Sequence, residues 1–475
     1  MLIKKIRLRN FKSIGDEPLE LELKPLTILV GPGGSGKSSI LHAIDWLVTF
    51  RRREISGMTF NLEDRKIYGV ATFEELVHGH DPYNNEIEVA VTLEFPDVAL
   101  RLVKELAKVV DWESLGYEDP PKEFRKLEYG FAFRYLEPRG QGYSAYKVWL
   151  KIDDKNIIGL EGRYDVKEGA VCKPIFIPRL EIFKPSYQPL ILWSPTMFTN
   201  SLKDNNLAKF IDEVMETISA RNFSGYVEGL LSEVYFLSGL RGMLDVEGGI
   251  EKGRSRVGKL GEDLIEVLAR LLSSESPGVR EGIGNDVIFW ASVFGMGKLV
   301  SGLSEIGEGI RGRYVDVWNK LELRLSAASH GQKQLLAVIA QCFSSDKPNL
   351  IMVEEPEISL HPQFQAMVPL LFADVIGRYG KQVIMTTHSS FFMLGLARAI
   401  KGCRVRGETF KGPEEREIKL SPDDVAIYEV KRDEKTGWTK AERLRISPKY
   451  GVVEGGIPSF VEVEKELFKA IFGET

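Results

Sequence analysis

A short run near the start of the chain combines glycines, a lysine and serines at spacings that could bind phosphate groups. Residues 31–38 read Gly-Pro-Gly-Gly-Ser-Gly-Lys-Ser and fit the phosphate-loop pattern G-x-x-x-x-G-K-[ST]. Glycines let the backbone point its N–H groups inward, and the helix that follows adds the partial positive charge of its N-terminus. The apolar run 26–30 predicts a strand before the loop, and the apolar spacing of residues 40–47 predicts a helix after it. The pattern therefore predicts nucleotide binding.

The same run has candidate roles at a nucleoside triphosphate. Lys37 is expected to reach the β- and γ-phosphates and to assist catalysis there, and Ser38 is expected to supply a hydroxyl to Mg²⁺. ATP and Mg²⁺ are thus the predicted cofactors. An ordinary glycine turn is the alternative, because 45 of the 475 residues are glycine, but the flanking strand and helix favour the phosphate loop. The predicted nucleotide-binding residues of this segment are Gly31, Pro32, Gly33, Gly34, Ser35, Gly36, Lys37, Ser38 and Ser39.

Two further predicted strands end in residues that would complete such a site. The apolar run 350–353 ends in Glu354 and Glu355, and the run 383–385 ends shortly before His388. Because ligands of open α/β sheets lie at the carboxyl ends of parallel strands, these residues are expected to meet. We predict that Glu354 holds Mg²⁺, directly or through a water, that Glu355 orients and deprotonates the attacking water, and that His388 contacts the γ-phosphate or that water. The alternatives are a solvated strand end for the glutamates and an ordinary hydrogen-bonded polar residue for the histidine.

A fourth segment, Ser-His-Gly-Gln at residues 329–332, starts a predicted helix. Ser-x-x-Gln is a capping box, in which the two side chains satisfy the first backbone N–H groups of the helix. A capped helix start with a hydroxyl and a glycine also offers donors to a phosphate, so the two interpretations are compatible. Because residues 31–38 already cradle phosphate in the same chain, Ser329, Gly331 and Gln332 are predicted to bind the nucleotide of a second subunit.

Length and composition bound the class of protein. With 475 residues, 43% of them hydrophobic, the chain is long enough for more than one core. No apolar run reaches the roughly 18 to 20 residues that span a bilayer, and the N-terminus leads into a strand pattern, so we expect a cytoplasmic protein without a membrane partner. The widely spaced Cys172, Cys342 and Cys403 exclude a disulfide framework and a C-x-x-C zinc site. A net charge of -5 argues against bulk electrostatic coating of nucleic acid but allows a local basic groove.

The order of the patterns predicts an α/β protein with three regions. Residues 1–245 are predicted to form an N-terminal ATPase lobe, with antiparallel strands that feed the core sheet and an antiparallel subsheet after the phosphate loop. Residues 246–314 are predicted to form a helical lobe, and residues 315–475 a C-terminal ATPase lobe that ends in a hairpin and a helix. Apolar residues of one parity from 315 to 325 predict a single strand. Residues 173–232, which include one predicted helix, receive no function.

The order of these segments resembles that of the ABC-type ATPases of the SMC, RecF and OLD group. The match covers the whole chain in outline, and after the strand and phosphate loop it comprises Ser329-x-Gly331-Gln332, Leu350 to Glu355, Ser-Leu-His-Pro at 359–362 and Thr-His-Ser at 387–389. The opening residues 6–14 and the runs 354–357 and 360–362 are especially similar to stand-alone RecF-like and OLD-like ATPases without a TOPRIM domain. The resemblance implies an ABC-type ATPase head with a mixed core sheet, an antiparallel subsheet and a helical lobe.

The resemblance also implies roles for individual residues. In this family two heads dimerise head to tail, and the signature serine and glycine of each head close on the ATP of the other. Ser329 and Gly331 are thereby implied to act across a dimer interface, residues Ser359 to His361 to lie beside it, and His388 to be the switch histidine. One arginine of the run Arg51 to Arg53 is implied to touch the nucleotide, without an indication of which one. A solvated basic run is the alternative for these arginines.

Several positions depart from the family pattern. Gly33 stands where the group commonly has asparagine, Glu354 where most members have aspartate, and His330 where the signature commonly has glycine. The predicted strand end at 238–241 contains no glutamine for a Q-loop. About 290 residues separate phosphate loop and signature, too many for a simple transporter ATPase and too few for long coiled-coil arms. Residues 453–455 faintly resemble the start of a TOPRIM domain, but the roughly 20 residues that follow are too few for one.

Together these observations predict a Mg²⁺-dependent ATPase whose ATP-bound heads dimerise and which acts as an ATP-gated clamp on DNA in repair, recombination or genome defence. The alternative is a nucleotide switch that controls a separate effector protein without binding DNA. A basic groove formed in the dimer would favour the clamp, and an exposed apolar patch on the middle or C-terminal region would favour the switch. Duplex DNA and an effector protein therefore both stay open as partners of the predicted homodimer.

Overall fold

A computed structural model describes residues 3–52, 62–70, 72–81, 83–94, 126–135, 143–152, 155–165, 169–174, 234–241, 247–249, 256–272, 282–300, 309–311, 313–316, 319–346 and 348–472. The chain divides into two compact units, each made of segments that are distant in the sequence. The first comprises Met1–Leu23, His42–Glu233 and Arg432–Lys440, and the second comprises Lys24–Leu41, Val234–Lys431 and Ala441–Thr475. The phosphate loop and the other predicted site residues, apart from the arginine run, belong to the second unit.

The described strands are numbered in chain order. In the first half of the chain they are β1 Ile3–Arg9, β2 Leu19–Glu22, β3 Leu26–Val30, β4 Ile87–Glu94, β5 Lys126–Tyr135, β6 Tyr143–Ile152, β7 Lys155–Asp165, β8 Gly169–Pro174 and β9 Val234–Leu237. In the second half they are β10 Glu247–Gly249, β11 Lys298–Val300, β12 Gly309–Arg311, β13 Arg313–Val315, β14 Glu322–Arg324, β15 Leu350–Glu354, β16 Gln382–Thr387, β17 Cys403–Thr409, β18 Gly412–Ile418, β19 Val425–Arg432 and β20 Thr439–Leu444.

The described helices lie between and after these strands. The α-helices span Lys37–Arg52, Leu62–Tyr68, Phe73–Leu76, Leu264–Leu272, Ile283–Val293, His330–Cys342, Pro362–Gln365, Val368–Tyr379, Ser390–Lys401 and Pro458–Phe472. Short 3₁₀ turns span His78–His80, Leu325–Ala327 and Pro422–Asp424. In the part of the chain that the structure describes, no helix is long and apolar enough to cross a membrane.

The second unit is built on a six-stranded sheet with the order β20-β19-β3-β16-β15-β9. The pairs β19 with β3, β3 with β16, β16 with β15 and β15 with β9 are all parallel. All residues of β3, β15 and β16 are buried, as their continuous apolar runs require. The predicted hairpin near the C-terminus is present, because β20 lies next to β19 and the helix Pro458–Phe472 follows. As a result, the carboxyl ends of five parallel strands, β19, β3, β16, β15 and β9, lie side by side.

Helices pack on this sheet around one large apolar core and a buried ionic cluster. Asp286, in the helix Ile283–Val293, accepts from Arg378 at 2.7 Å and pairs with Arg416 of β18 at 2.8 Å. Trp290 of the same helix donates its indole N–H to Asp374 at 2.8 Å. These bonds connect the helix Ile283–Val293 with the helix Val368–Tyr379 and with β18, and they stabilise the packing of these three elements.

One predicted strand of the second unit proves to be two. The parity of residues 315–325 predicts a single strand, but β13 and β14 pair antiparallel, with Tyr314 opposite Leu323. Between them the Asp316 carboxylate accepts from the backbone N–H of Asn319 at 2.9 Å, and Lys320 takes a left-handed φ of 60°. An aspartate that binds a backbone N–H a few residues ahead favours a turn over extended chain. The prediction is therefore wrong at this segment.

The first unit contains a seven-stranded sheet with the order β2-β1-β4-β5-β6-β7-β8, in which every neighbouring pair is antiparallel. This confirms the antiparallel subsheet. It corrects the expectation that β1 and β2 feed the core sheet, since they join this sheet instead. Alternating burial in β1 and β2 shows that one face is covered, but such alternation does not specify which sheet a strand joins.

The predicted α/β class, with a mixed core sheet, an antiparallel sheet and helices, is confirmed by these elements. Among the described residues of the region 246–314 there are two helices, the strands β10, β11 and β12 and the first residues of β13. The helix predicted near residues 207–214 and nearly all of residues 173–232 lie outside the described residues. The division into three consecutive lobes stays a prediction.

Candidate functional site

The phosphate loop begins where β3 ends, and its first glycine is required by the backbone. Gly31 has a φ of 142°, which residues with side chains rarely adopt. A Cβ atom there would lie 2.2 Å from the carbonyl oxygen of Val430, in the neighbouring strand β19. Gly34 and Gly36 also take positive φ values, of 72° and 103°. A side chain at Gly31 would therefore force the loop to shift, and the positive φ values of Gly34 and Gly36 also favour glycine.

The outer part of the loop is open. Pro32, Gly33, Gly34 and Ser38 are exposed, whereas Ser35 is buried. A Cβ atom on Gly33 would meet no atom within 4 Å. The exposed backbone of these residues, followed directly by the helix Lys37–Arg52, is an arrangement that suits an anion.

Lys37 lies inside the loop rather than in solvent, with 5% of its surface exposed. Its ammonium group donates to the carbonyl oxygens of Gly31 and Pro32, both at 2.8 Å. Burial lowers the pKa of Lys37 to about 8, and the nearby carboxylates of Glu355 and Glu357 oppose that lowering. The loop thus holds a cation at its centre, within electrostatic reach of the residues at the end of β15.

Glu354, the last residue of β15, is buried and oriented by the end of β9. Its Oε2 accepts from the backbone N–H of Gly239 at 3.0 Å and lies 3.3 Å from the hydroxyl of Ser238, which donates to it. The pairing of β9 with β15 brings these residues together. Ser238 and Gly239 thus lie at the strand end where the family pattern would place a Q-loop glutamine. They contact Glu354, the carboxylate predicted to hold Mg²⁺.

Glu355 leaves the strand in an unusual conformation. Its φ is 42°, in the left-handed region that non-glycine residues seldom adopt. Its backbone N–H donates to both the carbonyl and the hydroxyl oxygen of Thr386, each at 3.1 Å. Its Oε1 lies 3.2 Å from Nε2 of His388. That hydrogen bond is the main cause that lowers the pKa of Glu355, and burial acts in the opposite direction.

Glu357 is a third carboxylate at this site, and the sequence analysis gave it no role. It is 5% exposed, and burial raises its pKa. Its Oε1 accepts from the backbone N–H of His388 at 3.2 Å and from the hydroxyl of Thr387. Glu357 therefore fixes the backbone of the histidine whose ring contacts Glu355. Its position two residues after Glu355 in the same acidic run was the signal that could have found it.

Arg241 was also missed. It follows β9 and is completely buried, and burial lowers its pKa to about 10 while Glu357, Glu354 and Glu355 oppose this. The sequence indicated the position of Arg241 near these carboxylates in one way only. Arg241 comes just after the predicted strand 234–237, whose end was expected near the ends of the other parallel strands.

The signature segment forms the capping box that its sequence predicts. The Ser329 hydroxyl accepts from the backbone N–H of Gln332 at 3.3 Å, and the Gln332 side chain accepts from the backbone N–H of Ser329 at 3.1 Å. Gly331 packs against Ser359, because a Cβ atom there would lie 2.4 Å from the Ser359 carbonyl oxygen. Gln332 also donates to the carbonyl of Gly295 at 3.3 Å. The structure thus brings Gly331 next to Ser359 and Leu360, and Ser329 stays exposed at the start of its helix.

The ends of the adjacent strands β3, β16 and β15 bring together the phosphate loop, His388, Glu354 and Glu355. The signature residues Ser329, Gly331 and Gln332 instead contact one another, and they also contact Gly295 and Ser359. His361 caps the helix Pro362–Gln365 by accepting from the backbone N–H of Gln363 at 3.3 Å. The side chains of Arg51 and Arg52 and the whole of Arg53 lie outside the described residues, so the arginine implied to touch nucleotide stays a prediction.

These residues fit ATP and Mg²⁺. The open backbone of Pro32 to Gly34 and the central ammonium of Lys37 suit phosphate oxygens. In the described part of the chain, no group of three or more His, Cys, Asp or Glu could hold a metal by itself. Mg²⁺ at nucleotide sites typically keeps waters and binds one or two protein groups plus phosphates. The exposed Ser38 and the carboxylate of Glu354 are such groups.

Comparison with protein families shows a match to the AAA ATPase domain over residues 1–166 and 191–393, more than half of the chain. Among curated proteins, the chain is 45% identical over 49 residues to a chromosome partition protein Smc of Halothermothrix orenii. It is 46% identical over 44 residues to an OLD nuclease of Thermus scotoductus. These alignments cover 10% and 9% of this chain but only 4% and 8% of the two relatives.

Similar solved structures include an Smc head bound to the C-winged helix domain of ScpA, with a TM-score of 0.44 and 13% identity over 94% of this chain and 99% of that chain. An SMC head domain from Thermotoga maritima gives a TM-score of 0.39 and 12% identity over 94% and 100% of the two chains. An Smc head with an extended coiled coil, bound to the C-terminal domain of ScpA derived from Pyrococcus furiosus, gives 0.40 and 14% over 98% and 99%.

Proposed function

The chain belongs to the AAA ATPase domain family, of the SMC, RecF and OLD type that its motifs resemble, and on that premise we propose that it binds ATP with Mg²⁺ and hydrolyses the bond to the γ-phosphate. The observation that supports this most is the meeting of three strand ends. β3 leads to Lys37, β16 leads to His388 and β15 leads to Glu355, and the three strands are adjacent and parallel. A phosphate-binding cation, a histidine and an ionisable carboxylate therefore share one edge of the sheet.

Each residue contributes a separate part of the reaction. The ammonium of Lys37 binds the β- and γ-phosphate oxygens and exchanges its present carbonyl partners for them. The lowered pKa of Glu355 keeps its carboxylate ionised at neutral pH, ready to accept a proton from the attacking water. His388 orients that carboxylate. Ser38 and Glu354 would hold Mg²⁺, which would supply positive charge to offset the negative charge of the phosphate oxygens.

The test is release of inorganic phosphate from ATP by the purified protein, with Mg²⁺ and with excess chelator. Turnover is expected only with Mg²⁺, and Lys37→Ala is expected to abolish ATP binding in calorimetry, because each charge-assisted hydrogen bond to phosphate contributes about 1.5–3 kcal/mol. Absence of turnover by the wild-type protein in Mg²⁺ and ATP would contradict the proposal.

We also propose that two ATP-bound copies associate, with Ser329, Gly331 and Gln332 of each copy at the nucleotide of the other. Two features support this. Ser329 is exposed at the start of the helix His330–Cys342, where backbone N–H groups favour a phosphate. In addition, the phosphate loop already contains its own cation and its own glycine-rich backbone, so the contribution of Ser329 is not needed within one chain.

The target of such a dimer is the point on which two candidate functions differ. An ATP-gated clamp on DNA is the one that the family resemblance favours. A switch that acts on an effector protein is favoured by the helix Pro458–Phe472, where Val463, Leu467 and Ile471 are 54%, 56% and 68% exposed. These residues stand four apart and therefore share one face of the helix, a pattern typical of a protein-binding stripe.

One titration separates the two candidates. Duplex DNA binding by Glu355→Gln is measured over a range of salt concentrations, with and without ATP. A clamp predicts binding that ATP strengthens and whose salt dependence ATP steepens, because a dimer neutralises more phosphates at once. Absence of ATP-dependent binding even at low salt would instead support the effector switch.

A further inference from the structure

Arg241 is completely buried beside the carboxylates proposed for catalysis, and it connects three segments of the second unit. Its Nη1 donates to the carbonyl oxygens of Ser238 at 3.1 Å and Glu354 at 2.5 Å. Its Nη2 donates to the carbonyl oxygen of Glu355 at 2.8 Å, and its Nε donates to that of Gln334 at 3.3 Å. One guanidinium thereby joins the end of β9, the end of β15 and the helix that begins at the signature.

All four of these hydrogen bonds end on backbone carbonyls. The planar guanidinium has several donors in a fixed arrangement, so it can hold several carbonyls in one geometry, whereas a lysine ammonium is a compact charge on a flexible stem. Burial of a cation is costly, and the nearby carboxylates of Glu354, Glu355 and Glu357 offset part of that cost. Replacement of such a buried ion pair by well-packed apolar side chains is nevertheless often neutral or stabilising. The arrangement is therefore better explained by a need to fix this backbone than by a need for stability.

The backbone that Arg241 holds is the strained one. Glu355 has its φ at 42°, and its carbonyl accepts both from Arg241 and from the backbone N–H of Ile358 at 3.0 Å. Its own N–H is held by Thr386 from the other side. Residues kept in sparsely populated conformations persist only where their surroundings enforce them, and they concentrate at functional sites. The direction of the Glu355 side chain, and its contact with His388, depend on this conformation.

We propose that Arg241 is a positioning residue for the ATPase reaction. It clamps the carbonyls of Glu354 and Glu355 and so holds the Glu355 carboxylate at the point where His388 and the phosphate loop converge. This proposal rests on the proposed ATP hydrolysis. Arg241 acts through Glu355 and makes no contact with nucleotide in this role.

The test compares Arg241→Lys with Arg270→Lys. Arg241→Lys keeps the positive charge but loses the planar arrangement of guanidinium donors. Arg270 is the control, because it is another arginine of the second unit that donates to a backbone carbonyl, that of Ser344, at 2.6 Å, although it is half-buried and Arg241 is completely buried. In Arg241→Lys, kcat is expected to fall about 10²-fold, as for a catalytic group displaced by about 1 Å, with ATP affinity within about threefold of wild type. Arg270→Lys is expected to keep kcat. Equal loss of ATP affinity and kcat in Arg241→Lys, or an unchanged kcat, would overturn the proposal.

A measurement of hydrogen exchange separates failure of the clamp from failure of the ATPase proposal. The amides of Glu355 and Ile358 are expected to exchange at least about 10-fold faster in Arg241→Lys than in wild type or Arg270→Lys, whether or not the protein hydrolyses ATP. Equal exchange in all three proteins overturns the clamp even if kcat falls. If Arg241→Lys does not fold, the wild-type protein decides: these two amides must be strongly protected, and exchange as fast as in an exposed turn overturns the proposal.

Discussion

The ring of His388 and the carboxylate of Glu355 lie 3.2 Å apart, and each is held by a separate backbone contact. The backbone N–H of His388 donates to Glu357 at 3.2 Å, and that of Glu355 donates to Thr386 at 3.1 Å. The histidine and the carboxylate that we propose as the catalytic base are thus oriented by hydrogen bonds of their own backbone, which is expected to lower the cost of assembling the site during the reaction.

Replacement of Glu355 by glutamine should separate binding from chemistry. Glu355→Gln is expected to keep ATP affinity and to slow turnover by about 10² to 10⁴, because the positioned base is lost while the phosphate loop is intact. Single-turnover phosphate release and calorimetry measure the two quantities. The matched change Glu354→Gln should instead weaken the Mg²⁺ dependence of binding. If Glu355→Gln turns over normally, the base is assigned wrongly.

Removal of the histidine ring should move the pH profile of kcat. His388 is the main cause of the lowered pKa of Glu355. Without it that pKa rises, so Glu355 becomes protonated at a higher pH. The acid limb of kcat in His388→Ala is therefore expected to shift to higher pH, as measured by phosphate release over a range that extends below pH 4.5, the ordinary pKa of a glutamate carboxyl. An acid limb at the wild-type position would show that His388 does not set the ionisation of Glu355.

Binding of ATP at alkaline pH should take up a proton at Lys37. Burial lowers the pKa of Lys37 to about 8, so above that pH the amine is largely neutral before ATP binds. Phosphate oxygens favour the ammonium form and raise this pKa, so at a pH about one unit above it binding is expected to take up most of one proton. Calorimetry in buffers with different ionisation enthalpies measures the uptake. Lys37→Arg, whose side chain stays protonated, should take up none at this position.

Two glycines of the same loop should respond differently to alanine. Gly31→Ala combines a φ of 142° with a Cβ only 2.2 Å from the Val430 carbonyl, so we expect a loss of more than about 2 kcal/mol in the free energy of unfolding. Gly33→Ala places its Cβ where no atom lies within 4 Å, and its effect on that free energy should stay within about 0.5 kcal/mol. Denaturant unfolding of both variants makes the comparison. Similar losses would mean that the contact with Val430 is not what requires Gly31.

Association of two copies should depend on ATP and on Ser329. Glu355→Gln is expected to size as a dimer with ATP and as a smaller species without it in light scattering. Adding Ser329→Arg should prevent the shift, since a long cation at the exposed helix start blocks close approach of a second nucleotide site. The comparison variant, His361→Arg, also places a bulky cation at an exposed position. It tests whether any such cation on this surface prevents dimerisation. A mass that does not respond to ATP would contradict the proposed exchange of signatures.

The sequence predicted the parts of the site that local patterns encode. Continuous apolar runs identified β3, β15 and β16, and the general rule for parallel strands placed their ends together. The capping box at Ser329 and Gln332 was likewise readable from spacing alone.

The rest depends on contacts between residues that are distant in the chain. Nothing near Arg241 in the sequence indicates that its donors end on the carbonyls of Glu354 and Glu355. Alternation in β1 showed that one face is buried but could not specify the sheet that β1 joins. The chain turns between Asp316 and Lys320 although the apolar residues before and after the turn share one parity, so parity alone does not reveal it.

The pairing of β3 has a consequence for how the protein is made. Leu26 lies opposite Val383 on one side and opposite Val425 on the other, so the strand that leads to the phosphate loop finds both neighbours only in the last quarter of the chain. Such distant pairings form slowly and leave strand edges exposed until they close. A ribosome that has synthesised the phosphate loop must therefore also synthesise β16 and β19 before the strand that leads to this loop has both of its neighbours. During synthesis, the segments of the proposed nucleotide site are thus expected to come together late.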